Sequence, residues 1–243
     1  GGESPLEEWI EIHNRGFGSV NLAGWTLEGV DFTFPNVGIP EGGFLVIAAN
    51  EAAFRAQYPG VLNMIGGWNG RLSNRGESLR LLNHTGAEID RVDYADSGDW
   101  SRRRPGSDDR GHTGWIWDNL ADGGGRTLEV LNLHSPNDLG QNWDFSAMEG
   151  GTPGAPNSVR QVNVAPFIED VSHHPAVPSP RDLVLVRARL SDDLSSPIRG
   201  VVHHRTSSLE PTAFTATIMR DDGTGGDEVA GDTSYTCLLY TSD

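Results

Sequence analysis

Glu8-Trp9-Ile10-Glu11-Ile12-His13-Asn14 sets Ile10 and Ile12 two residues apart with a carboxylate between them. That period of two is the mark of a strand with one face buried. Short runs of the same kind follow: Val20-Asn21-Leu22-Ala23-Gly24-Trp25-Thr26-Leu27, Phe32-Thr33-Phe34-Pro35, Gly42-Gly43-Phe44-Leu45-Val46-Ile47-Ala48, Leu79-Arg80-Leu81-Leu82 and Ile89-Asp90-Arg91-Val92-Asp93-Tyr94. Turn residues separate them, as in Pro40-Glu41-Gly42-Gly43, Asn74-Arg75-Gly76 and Asn83-His84-Thr85-Gly86. Strand, turn and strand at this spacing predict an all-β sandwich or barrel. Trp25, directly after the Ala23-Gly24 turn, is expected in its core. One segment breaks the pattern: Asn50-Glu51-Ala52-Ala53-Phe54-Arg55-Ala56-Gln57-Tyr58 has an Asn cap and an acidic first turn, and it stops before Pro59-Gly60. It predicts a short helix.

The chain has 243 residues, enough for one or two domains with a real core. It carries 34 acidic residues against 18 basic ones, a net charge of −16, and every basic residue is Arg. A phosphate backbone would repel such a surface, which argues against a nucleic-acid partner. The single basic run, Arg102-Arg103-Arg104, is flanked by Asp99, Asp108 and Asp109 and reads as a solvated loop. No stretch approaches the ~20 apolar residues of a membrane span. The chain starts at Gly1-Gly2-Glu3 with no initiator Met, and it reads as an internal piece of a longer protein.

The strand series as a whole resembles the bacterial form of the lamin tail domain, an immunoglobulin-like β-sandwich. The resemblance runs over residues 7–157. Its specific parts are the Glu8 to Ile12 segment, Asn21-Leu22-Ala23-Gly24-Trp25, and Leu72-Ser73-Asn74-Arg75-Gly76-Glu77-Ser78-Leu79-Arg80-Leu81. Thr127-Leu128-Glu129, Asn142-Trp143 and the closing Gly150-Gly151-Thr152-Pro153-Gly154-Ala155-Pro156-Asn157 complete it. Two departures stand out. The family's N-terminal strand is missing or reduced to Ser4-Pro5-Leu6. A long loop, residues 97–125, carries Trp100, Trp115 and Trp117. The resemblance implies a non-catalytic module: a scaffold, adhesion or interaction unit of a large bacterial secreted or cell-surface protein, with an extracellular or cell-surface location. Its partners would be other domains of the same protein, or a protein or glycan ligand. A second reading makes it an accessory module beside a hydrolase-like or spore-coat kinase-like catalytic domain outside this chain.

Composition shifts near residue 157, since all seven Trp precede it. A second, incomplete β-sandwich is expected over residues 158–236, resembling an immunoglobulin- or fibronectin-type module. Leu183-Val184-Leu185-Val186-Arg187-Ala188-Arg189-Leu190 is its clearest strand. Residues 237–243, Cys237-Leu238-Leu239-Tyr240-Thr241-Ser242-Asp243, match the translation of a sequencing adapter and are expected to lie outside the fold. A lone Cys237 also excludes an internal disulfide.

Candidate chemistry is sparse. There is no Gly-x-Ser-x-Gly elbow, no phosphate loop with Lys and no His-Glu-x-x-His, so no catalytic residue is assigned. No cofactor and no metal site is assigned either. Asp221, Asp222, Asp227 and Asp232, with Glu228, lie on a Gly-rich hairpin that could offer oxygens to Ca²⁺, but the EF-hand spacing is absent and the same residues build tight turns. His173-His174 and His203-His204 are adjacent pairs, and on a strand the members of each point to opposite sides. Trp100, Trp115 and Trp117 are the candidate contact residues. Such rings suit a sugar or a protein partner, or else fold back to cap the sandwich.

Overall fold

Short runs of β-branched and aromatic residues, each cut off by Gly, Pro or Asn, yield short strands. The computed structural model describes residues 4–121, 123–194, 197–205 and 212–240; residues 1–3 and the end of the tail, 241–243, lie outside this description. After a 3-10 turn at Pro5–Glu7 come β1 (Trp9–His13), β2 (Val20–Asn21), β3 (Thr26–Glu28), β4 (Phe32–Thr33), β5 (Gly38–Ile39) and β6 (Phe44–Ala48). The helix α1 (Glu51–Gln57) leads to β7 (Met64–Gly66), β8 (Glu77–Leu82) and β9 (Glu88–Tyr94). Then follow β10 (Arg102–Asp109), β11 (His112–Asp118), β12 (Leu128–Val130) and β13 (Trp143–Phe145). The last strands are β14 (Phe167–His174), β15 (Leu183–Ser191), β16 (Val201–His204), β17 (Thr215–Ile218) and β18 (Ser234–Tyr240). Two compact units result: Gly1–Arg102 with Trp117–Val162, and Arg103–Ile116 with Asn163–Asp243. Residues 103–116, which the sequence assigns to the first domain, thus group with the second unit.

In the first unit, β1-β6-β7 and β4-β3-β8-β9 form the larger sheets, an immunoglobulin-like sandwich in all-β form. Alternation decides what each strand buries. Ile10 and Ile12 of β1, Leu45 and Ile47 of β6, Leu27 of β3 and Leu81 of β8 meet in one cluster with Leu22, Val30, Phe32, Phe34, Ile39 and Trp68. The other face of β6 is also buried: Val46 and Ala48 pack with Phe54 of α1 and Met64 of β7, flanked by Trp9 and Tyr58. This explains why Phe44-Leu45-Val46-Ile47-Ala48 is apolar throughout rather than alternating. The helix forms where its cap predicts, with the Ala53 N–H donating to Asn50 Oδ1 at 3.0 Å.

Trp25 differs from expectation. It is only partly buried and packs on the margin of the core. Its N–H donates to the Leu22 carbonyl at 2.9 Å, so it still closes the turn, and Leu27 two residues on takes the interior position. The β8–β9 hairpin forms as read, and Asn83 Oδ1 organises its turn by accepting from Thr85 N and Ala87 N. Residues 97–125 are a second departure. Within the expected loop, β10 and β11 pair as a hairpin. Arg110 and Gly111 both have positive φ, 55° and 87°, as a two-residue primed turn requires.

The second unit contains the sheet β14-β15-β18 and the pair β16-β17, with Ala188, Leu190, Met219 and Cys237 at its core. A bulge between Glu169 and Ser172 interrupts β14, where Asp170 has φ 52°. The tail again departs from expectation. Cys237 to Tyr240 continue β18 and pair with β15. Tyr235, Cys237 and Leu239, at period two, all pack on the core, which is why so apolar a run joins the sheet. Burial pushes the Cys237 thiol above its usual range, which leaves it a poor nucleophile.

Candidate functional site

The three candidate tryptophans part company. Trp100 is partly buried and its ring packs on Trp143, 5.6 Å between centroids at 39°. Trp143 is fixed in turn by donating its indole N–H to the Asn137 carbonyl at 2.8 Å. Trp115 and Trp117 remain open, 58% and 46% exposed. They lie two apart on β11, so strand alternation points them to the same side. The Arg103 guanidinium lies 5.8 Å from the Trp115 ring centre, within cation–π range. Arg102 is not available to a ligand: its Nε donates to Asp144 at 2.6 Å, Nη2 reaches the Phe145 carbonyl at 3.2 Å, and the group stacks on the Phe145 ring. The Arg102-Arg103-Arg104 run therefore does not act as one basic patch.

Within the second unit, the hairpin is anchored at its turn. His112 stacks on His203 at 4.4 Å and meets Phe214 at 4.9 Å, while Asp109 pairs with Arg205 at 2.9 Å. The other histidine of that pair, His204, faces Thr217 Oγ1 at 2.9 Å, so the two members do diverge. His173 and His174 are both exposed on β14.

Asp221, Asp227 and Asp232 place carboxylate oxygens within 4.8 Å of one another. Each is already engaged. Asp221 accepts from Gly231 N, Asp232 N and Thr233 N, Asp227 from Gly223 N at 2.6 Å, and Asp232 from Ser234 N at 2.8 Å. Asp222 stands outside this group, and its hydrogen bond from Thr224 holds its carboxyl below the usual range. These carboxylates would supply part of the six to eight oxygens that Ca²⁺ takes.

A further cluster lies under residues 150–157. Glu11 of β1 accepts the Gly154 N–H at 2.5 Å. Glu129 of β12 is 5% exposed; it accepts from Thr152 Oγ1 at 2.8 Å and from both Ser158 N and Oγ at 2.7 Å. Tyr58, at the end of α1, donates to the Gly150 carbonyl at 2.7 Å. The backbone comes so close here that a Cβ on Gly154, at φ 79°, would sit 2.9 Å from Asn63 Oδ1.

The family model described as Lamin Tail Domain matches residues 1–96. Residues 1–96, and not the rest of the chain, are what this match supports as a lamin tail domain. No curated protein and no solved structure matches the chain. The lamin tail domain is an immunoglobulin-like, non-catalytic family, and the match spans β1 to β9. The Trp hairpin, β12, β13 and the second unit lie beyond it. None of the described helices is long and apolar enough to cross a membrane. Sequence reading missed Glu11 and Glu129 as the acids that hold the closing Gly-rich segment.

Proposed function

We propose that the chain is a non-catalytic scaffold or adhesion module of a large bacterial secreted or cell-surface protein, making its contact through Trp115 and Trp117. One observation carries this reading: two indoles stay open on the same side of one strand, although every other Trp is at least partly buried. Large exposed aromatics with few rotatable bonds give contact area at little entropic cost, as interface anchors do. A second β unit in the same chain is compatible with such a role.

A glycan is the ligand favoured by the Arg103–Trp115 arrangement, since a flat ring beside a guanidinium can stack on a sugar face and bind its hydroxyls. The accessory-module reading, with catalysis in another domain, shares this ligand step. Titrating a glycan panel while following Trp fluorescence tests it. Quenching lost in Trp115→Ala and Trp117→Ala, but kept in Trp100→Ala, supports the site. A flat response across the panel removes the glycan, and unchanged cell-surface adhesion in the double variant removes the hairpin as the contact.

A further inference from the structure

β7 lies at the edge of its sheet, and the β6–β7 ladder fixes which of its backbone groups are engaged. The Val46 N–H donates to the Asn63 carbonyl at 3.0 Å, and the Gly67 N–H donates to the Ala48 carbonyl at 2.9 Å. In this parallel register Val46 lies opposite Met64 and Ala48 opposite Gly66. The ladder groups are therefore those of Asn63, Ile65 and Gly67, while the N–H and C=O of Met64 and Gly66 point away from β6. No described strand pairs with that side. Beside it opens a cleft of about 390 Å³, with Val37, Pro40, Phe44, Leu45, Leu62 and Ile65 in its walls. Leu62 is 83% exposed there. We propose that this edge and cleft dock an extended, uncharged apolar peptide segment, which adds a strand to β7 and seats a side chain in the cleft.

Two features choose that occupant. Outward N–H and C=O groups on alternate residues match the backbone of an extended strand, the pairing by which a peptide augments a sheet. Charge selects its side chains. In a chain of net charge −16, no residue lining the cleft is charged, so a charged side chain seated there would lose water and meet no counter-ion. The outer strand β9 is the opposite case, with Glu88, Asp90, Arg91 and Asp93 along it. A second copy of the chain would bring its own charge of −16 to the interface and is disfavoured at low salt. The site uses neither Trp115 nor Trp117, and the inference does not rest on them.

The probe is an acetylated and amidated peptide of alternating Val and Thr, added to the full chain at low salt. Amide hydrogen exchange followed by NMR gives the readout. In the free chain the Met64 and Gly66 amides should exchange faster than that of Ile65, which is bound to β6. With the peptide at about ten times its Kd, Met64 and Gly66 should each gain about tenfold in protection, and Ile65 should change little. Leu62→Glu alters an exposed side chain, so it should leave the free chain's exchange as it is and raise the peptide Kd about tenfold or more. In the unmodified chain, no gain at Met64 and Gly66 up to ~1 mM peptide overturns the proposal. An equal gain at every β7 amide does so too, as does equal binding of a peptide with Lys in place of Val. Protection of these two amides that grows with protein concentration alone would make the occupant a second copy and also overturns it. These outcomes hold whether or not the variant folds.

Discussion

Phe54 shows how one residue carries an element. It is fully buried, with Trp9 edge-on at 6.2 Å and Tyr58 at 4.8 Å, and it is the single buried residue of α1. Phe54→Ala should cost roughly 3–5 kcal/mol, measured by denaturant unfolding. Trp25→Ala should cost clearly less, since its indole lies on the core margin; an equal loss would mean that the ring is more important to packing than its position indicates. Asn50→Ala should cost about 1 kcal/mol by removing the cap. Glu11 gives a pH effect of defined sign. Its carboxyl titrates near 4.5 when exposed and near 7 when folded, so the folded chain binds the extra proton between those values. The contribution of Glu11 to stability is therefore full below pH 4.5 and is lost as pH rises toward 7. Thermal melts of Glu11→Gln should lack this fall.

At the scale of elements, the β10–β11 hairpin forms where the sequence predicts a loop. Arg102-Arg103-Arg104-Pro105-Gly106-Ser107-Asp108-Asp109 has no apolar residue to alternate, so periodicity could not mark it as a strand. The turn was legible in principle, because Arg110-Gly111 matches the need for two positive φ values. Trypsin should therefore cut first after Arg110, in the turn, rather than after Arg102, which is tied to Asp144. Mass spectrometry of the first nick decides between these. By contrast β1, β8, β9 and α1 were legible, because their patterns reflect what they bury: Ile10 with Ile12, Leu79 with Leu81, and Phe54 below an Asn cap. The Glu11–Glu129 cluster was not legible, since its members are more than a hundred residues apart and an acid between apolar neighbours usually faces water.

For the whole molecule, charge and open strand edges oppose one another. Among the described residues, β1 and β7 are the outer strands of one sheet, and β4 and β9 of the other. β9 presents Glu88, Asp90, Arg91 and Asp93, a charged border of the kind that discourages edge pairing. With a net charge of −16, copies of the chain repel at low salt. Sedimentation over a concentration series should show monomers at low salt and self-association through β1 at high salt. A monomer under both conditions would mean that the β1 edge is shielded. The parallel pairing of β6 with β7 bears on how the chain reaches this state. β6, α1 and β7 are consecutive, and their shared cluster of Val46, Ala48, Phe54 and Met64 needs only short loop closures. The rest of the sandwich needs distant pairings, such as β3 with β8. This βαβ piece should thus condense early and offer a ready surface to β1 as a folding nucleus. Val46→Ala would then slow refolding, whereas Leu81→Ala would chiefly hasten unfolding.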